Sequence, residues 1–168
     1  MEPNRCCFTG HRRIESSLLL PLTAHLDVTL TALIRMGCLH FYAGGALGFD
    51  TLAAERTLAM RATYPEIALH LLLPCRDQCR SWSSEECVRY EQILAQADSY
   101  RYVSEAYSAA AMTKRNHALI ANADVCVAFL QKQASGTGQT VRAAKAAGLT
   151  IINLADRLTP AELSHITR

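Results

Sequence analysis

The run HFYAGGALGFDTLAAERTLAMRA, His40 to Ala62, reads as a strand, a glycine loop and a helix in unbroken succession. HFYA is short and largely apolar, as a buried strand is. Gly44, Gly45 and Gly48 follow at once, and the helix candidate Thr51–Ala62 comes next. Glycine lets the backbone turn sharply and approach a neighbour closely. The unit recurs along the chain. Further strand candidates lie at Arg5–Phe8, Ala68–Leu73, Tyr100–Val103, Val125–Leu130 and Thr150–Leu154. Helix candidates fall between them, at Leu20–Met36, Ser84–Ala97, a stretch ending near Asn122, and Gln139–Ala147, with a short C-terminal piece from Pro160. ALHLLL and VCVAFL are near-continuous apolar runs, the pattern of strands covered on both faces. This alternation predicts an α/β fold, an open and mainly parallel sheet with helices on both faces and right-handed crossovers.

Punctuation supports the same reading. Gly37 and Gly148 sit just past helix candidates, where a left-handed residue ends a helix. Ser83 with Glu86 forms a capping box, and Thr159 before Pro160 suits a helix start. A chain of 168 residues with 50% hydrophobic and 19% charged residues fits one domain over residues 1–168, and excludes disorder, collagen and a coiled-coil rod. No signal peptide is evident, and no apolar run suggests a membrane span. Seventeen basic against fifteen acidic residues gives +2, too little to imply nucleic acid or an anionic membrane. Seven cysteines, an odd number, read as reduced thiols in the cytoplasm. Cys6 and Cys7 point to opposite faces of a strand, and Cys75, Cys79 and Cys87 lack the second pair of a zinc site, so no metal is expected.

Six of the eight glycines follow strands directly: Gly10; Gly44, Gly45 and Gly48; Gly136 and Gly138. In a parallel sheet these loops gather at the carboxyl edge, where such folds bind ligands. In AGGALGFDTLAAE, Asp50 reads as the cap of a tight turn and also suits a ribose hydroxyl, two compatible roles. In ASGTGQTVRAAKAAG, Ser135, Thr137 and Thr140 surround Gly136 and Gly138 at a helix start, which offers hydroxyls and amides to a phosphate or serves as a polar turn. FTGHRR brings Thr9, Gly10 and Arg12 from a neighbouring loop, with His11 read as an exposed loop residue. MTKRNHALIANAD supplies Arg115 and Asn116, a cation and an amide, or else a solvated helix face. LPCRDQCRSW carries Gln78 and Trp82, four residues apart; Trp82 stacks on a base or packs in the core. No catalytic constellation stands out. Asp50 and Glu55 are the weak carboxylate candidates.

FTGHR, GGALGFDTLAAE, LLLPCRDQCRSW, RNHALIANAD and SGTGQTVRAAKAAG, in that order over about residues 5 to 154, resemble the YpsA-like proteins of the SLOG superfamily. That superfamily also holds the LOG enzymes and the DprA DNA-processing proteins. The resemblance implies a Rossmann-like sheet with a nucleotide pocket formed by the Gly44–Asp50 and Ser135–Thr140 loops, faced by Arg115 and Asn116. LOG enzymes carry a catalytic glutamate after their glycines. With Gly136 and Gly138 set on those glycines, Arg142 falls at that glutamate, so the hydrolase does not carry over. On this register Arg142 sits on a helix's first turn, near bound phosphate.

The sequence therefore points to a soluble cytoplasmic protein that binds a nucleotide or nucleotide-derived phosphate, as a sensor or regulator, with no certain cofactor. Arg115 neutralises the ligand's charge in this reading. The alternatives are a hydrolase of N-glycosidic or phosphoester bonds and a single-stranded nucleic-acid binder; whether it is an enzyme stays open. The expected partners are a small phosphate-bearing ligand and a second copy in a homodimer, with no membrane and no nucleic acid.

Overall fold

The computed structural model describes residues 3–159. Six strands form one sheet: β1 (Arg5–Gly10), β2 (His40–Ala43), β3 (Ala68–Leu73), β4 (Ser99–Tyr102), β5 (Val125–Phe129) and β6 (Thr150–Asn153). Five helices connect them: α1 (Leu19–Arg35), α2 (Phe49–Met60), α3 (Ser84–Gln96), α4 (Ala109–Ala121) and α5 (Gly136–Ala146). All pairings are parallel, in the order β4-β3-β2-β1-β5-β6. This is a Rossmann-like α/β arrangement. The strand order reverses between β1 and β5, and loops diverge above such a point to leave a crevice.

The period of two along each strand sorts the side chains into two layers. Cys6, Phe8, Phe41, Leu69, Leu71 and Val127 are buried with Leu22, Leu26 and Leu30 of α1, Ala53 of α2 and Ile93 of α3. Cys7, Leu72, Cys126 and Ala128 are buried on the other face with Leu119 and Ile120 of α4 and Ala144 of α5. Each large apolar side chain so enclosed contributes roughly 1.5–3 kcal/mol. The adjacent Cys6 and Cys7 do point to opposite faces, and all seven cysteines are free thiols. Within the 20 residues Ser16–Arg35 a window of 18 has a mean hydropathy of 1.5, enough by length and composition to cross a membrane, contrary to the sequence reading. Leu18, Leu22, Leu26, Leu30 and Leu33, however, are buried in the core, while Leu19 and Leu20 are exposed.

Several boundaries move. β1 runs on through Thr9 and Gly10 because Gly10 stays in register with Phe129 of β5. α2 begins at Phe49, and its cap is Gly48 at φ +76°; Asp50 is therefore not the cap but lies within the first turn. α5 begins at Gly136, three residues early, so both glycines at its start are helical. The capping box of α3 forms as read, with Ser83 and Glu86 each accepting the other's backbone N–H. The helix read from Pro160 lies outside the described residues.

Candidate functional site

The ends of β1 and β5 stand level, and a cleft of about 480 Å³ opens above them. Thr9, Gly10, His11 and Arg12 leave β1 on one side, and Ser135, Gly136, Thr137 and Thr140 lead into α5 on the other. Asp50 of α2 and Arg115 and Asn116 of α4 complete the wall. Ten of the fifteen ligand-binding residues expected from the sequence thus meet in one place.

Helix geometry explains what the α5 side offers. The first amides of a helix have no acceptor within it. Ser135 Oγ takes the N–H of Gly138 at 3.0 Å, as a cap does. The amides of Gly136 and Thr137 keep no intrahelical partner, on residues that line the cleft. Thr140 Oγ1 donates to the Gly136 carbonyl at 3.0 Å, so its hydroxyl proton is engaged.

The opposite wall is more internally committed than the sequence implies. Arg115 is only 5% exposed. Its Nη1 donates to the Gly44 carbonyl and lies 3.6 Å from Asp50 Oδ2, while its Nε donates to Asn116 Oδ1 at 2.8 Å. Asp50 also accepts the Ala46 N–H at 3.2 Å. Burial pushes the Asp50 carboxyl upward, opposed by Arg115, the Ala46 amide and Arg12. Burial pushes Arg115 downward, opposed by Asp50. The two charges largely cancel, which revises the expectation that Arg115 serves a ligand's charge. Arg12, exposed at the cleft mouth, is the less committed cation.

The remaining expected residues lie elsewhere. Gly44 abuts the Arg115 guanidinium and Asp50, Gly45 faces Leu73, Gly48 faces the carbonyls of His11 and Arg12, and Gly138 faces that of Gln133. Glu55 pairs with Arg89, Nε to Oε1 at 3.0 Å, on the α2–α3 surface and outside the cleft. Trp82 stands edge to face against Tyr90 at 5.5 Å and lines a neighbouring cavity. Arg142 is on the second turn of α5, not the first, and donates to the Gln133 carbonyl at 3.1 Å.

Two further residues line the cleft: His11, read from the sequence as an exposed loop residue, and Tyr107, which the sequence did not single out. His11 is half-buried, and its Nε2 accepts the amides of Gln131 and Lys132 at 2.9 and 3.1 Å, tying the β1 loop to the β5–α5 loop. Tyr107, 53% exposed, projects from the β4–α4 connection. Tyr107 has no glycine beside it, the local signal that marked the other loops, and His11, although next to Gly10, pairs with amides 120 and 121 positions away that nothing near it foretells. Among the described residues, no three His, Cys, Asp or Glu side chains are grouped to hold a metal.

The YpsA family model, described as the YspA SLOG family, matches residues 7–149. The chain belongs to the YspA SLOG family. Its match covers both loops that build the cleft. A UPF0398 protein of Bacillus pumilus is 30% identical over 118 residues, 69% of this chain and 63% of that protein. Among solved structures, DNA processing protein A of Helicobacter pylori, described for its single-stranded DNA binding mode, aligns at a TM-score of 0.63 and 20% identity over 89% of this chain and 64% of its own. DprA of Streptococcus pneumoniae aligns at 0.61 and 13% identity, over 97% and 56%. The YspA SLOG chain thus spans less than two thirds of each of these three proteins. At such identities the two DprA structures share its fold.

Proposed function

We propose that the protein binds a nucleotide or a nucleotide-derived phosphate in the β1–β5 cleft and acts as a sensor or regulator in the cytoplasm. The observation that carries this reading is the start of α5. Two uncommitted amides open an eleven-residue helix at the switch point of the sheet, with Arg12 across the cleft. Amides at a helix start, the positive end of its dipole and a guanidinium are the groups that hold phosphate oxygens. Gly136 leaves room for close approach, since nothing stands within 4 Å of where its side chain would begin. Seven free thiols suit a reducing compartment. A homodimer belongs to the same reading, and light scattering of the purified chain checks it.

A second reading is hydrolysis of a nucleotide bond. Asp50 favours it, being a cleft carboxyl raised by burial, the state a general acid needs. Its ties to Arg115 and Ala46 weigh toward a structural role, and Glu55 is not at hand.

Calorimetric titration with ribose 5-phosphate, nucleoside monophosphates and a single-stranded oligonucleotide tests the reading. Saturable binding of the small phosphates, lost in Thr137→Pro, which removes one of the two amides, supports it. Binding of the oligonucleotide alone replaces it with nucleic-acid binding, the activity for which the Helicobacter pylori structure is described. Release of free base or phosphate over many turnovers, abolished by Asp50→Asn, replaces it with the hydrolase.

A further inference from the structure

Beside the cleft lies a second cavity of about 580 Å³, walled by Arg12, Asp77, Gln78, Arg80, Trp82 and Tyr107. Arg12 and Tyr107 line both cavities, so the two lie side by side. The volume is in the range of small-molecule sites.

The chemistry of this cavity differs from that of the cleft. It has two aromatic rings, Trp82 and Tyr107. Trp82 is held in place by its edge-to-face contact with Tyr90, while Tyr107 is largely exposed. Gln78 also lines the cavity, only 5% exposed, and its Oε1 is buried with no hydrogen-bond partner. A buried amide oxygen without a partner forfeits the hydrogen bonds that water would give it, which a ligand's donor can restore. Gly45 explains how the amide reaches that depth. A side chain begun there would come within 3.5 Å of Gln78 Oε1 and clash with Leu73. The terminal amide torsion of glutamine is broad, so a turn about it brings either the oxygen or the NH2 to the cavity.

We infer that this second cavity receives the base of a nucleoside phosphate whose phosphate lies in the cleft, with Trp82 and Tyr107 against its faces and the Gln78 amide on its edge. The inference rests on the phosphate reading above. A carboxamide offers an acceptor beside a donor, the complement of a base edge that carries a donor beside an acceptor. Aromatic rings add stacking that every base accepts. Arg12, on the wall of both cavities, then stands where phosphate and base meet.

Trp82 is the sole tryptophan, which makes the cavity its own reporter. We would titrate AMP, GMP, CMP, UMP and ribose 5-phosphate by calorimetry and follow tryptophan emission in parallel. The sugar phosphate differs from the nucleotides only in lacking the base. At least one nucleotide is expected to bind about tenfold or more tightly than ribose 5-phosphate and to change Trp82 emission, while ribose 5-phosphate leaves emission unaltered. Gln78→Leu is expected to weaken that nucleotide about tenfold, to leave ribose 5-phosphate within about twofold, and to leave the unliganded protein at least as stable, since it removes an unpaired polar group. Should all five ligands bind alike, or a nucleotide bind without disturbing Trp82, the base is not in this cavity, although the phosphate reading survives. Should none bind the unaltered protein, the phosphate reading fails and takes this inference with it. The emission measurement needs no variant, so misfolding of Gln78→Leu leaves the test intact.

Discussion

Two glycine-bearing junctions between strand and helix flank β1 at the same edge of the sheet, and they are built for opposite ends. At the β2–α2 junction the chain fills its own space. Gly44 admits the Arg115 guanidinium, and Gly48, at φ +76°, admits the carbonyls of His11 and Arg12. At the β5–α5 junction, Gly136 has an ordinary negative φ and nothing within 4 Å of its missing side chain. A glycine required by the protein's own packing says little about a ligand. A glycine with empty space before it, next to two free amides, says more. Richness in glycine does not distinguish the two; the atoms that stand where Cβ would be do.

The largest expected effect attacks the filled junction. Asp50→Ala leaves the buried Arg115 without its carboxylate and the Ala46 amide without its acceptor. Breaking a buried charge pair from one side costs about 3–5 kcal/mol. The urea unfolding midpoint should fall accordingly. A loss below about 1 kcal/mol would mean that the Gly44 carbonyl and Asn116 satisfy Arg115 unaided, and the junction is then not held by charge.

A sharper contrast comes from one substitution made on either side of β1. Gly44→Ala inserts a methyl against the guanidinium of Arg115 and the carboxylate of Asp50, an overpacking worth about 1–3 kcal/mol. Gly136→Ala meets nothing, and restricting the unfolded chain there should leave stability within about 0.5 kcal/mol or raise it slightly. Thermal melts of the two variants side by side measure the difference. Equal losses would erase the distinction between a filled junction and an open one.

Much of this fold was open to reading from sequence because its signals are local. ALHLLL and VCVAFL announce strands covered on both faces, Ser83 and Glu86 announce a helix start, and the strand–helix alternation dictates a parallel sheet. Boundaries next to glycine were not legible. The sequence GTGQ does not resemble a helix, yet α5 begins at its first residue because the Ser135 cap and the cleft edge hold it. The site was legible as a gathering of loops, since topology alone brings Gly10, Gly44 and Gly136 to one edge. What each residue does there was not, because it depends on contacts distant in sequence. Arg115 and Asp50 are 65 positions apart, and nothing near either foretells their pairing. Glu55 lies five residues from Asp50, yet the turn of α2 carries it away to Arg89.

The open junction can be loosened without touching the filled one. Ser135→Ala removes the oxygen that accepts the Gly138 amide at 3.0 Å and frays the first turn of α5. Loss of such a cap costs about 1 kcal/mol. Hydrogen exchange should quicken at the first amides of α5 while those of α2, capped through backbone at Gly48, keep their rates. Parallel quickening in α2 and α5 would show that the two junctions unfold as one unit.

The smallest effect concerns the tie between the β1 loop and the open junction. The His11 Nε2 accepts the amides of Gln131 and Lys132, so its ring must be neutral with the proton on Nδ1. Burial lowers its pKa, helped by the nearby Lys132 charge. In the unfolded chain the ring takes a proton near pH 6.5. The folded state resists that proton, so on acidification the unfolded state binds more protons and gains. The contribution of His11 is therefore complete above about pH 6.5 and is lost as pH falls through the lower folded value. Protonation puts a hydrogen on Nε2 and expels both amides, which should release residues 131 and 132 before the sheet melts. His70 is lowered as well, by burial and by His40, so stability of the whole protein against pH mixes the two rings. His11→Gln separates them, because it keeps an acceptor oxygen but does not titrate. Protection of the Gln131 and Lys132 amides, compared between about pH 7.5 and about pH 5, should fall in the unaltered protein and stay constant in His11→Gln. If protection is the same at both pH values in the unaltered protein, the ring does not fasten the open junction, and the β5–α5 loop is held instead by the Ser135 cap and the Arg142 bond to Gln133.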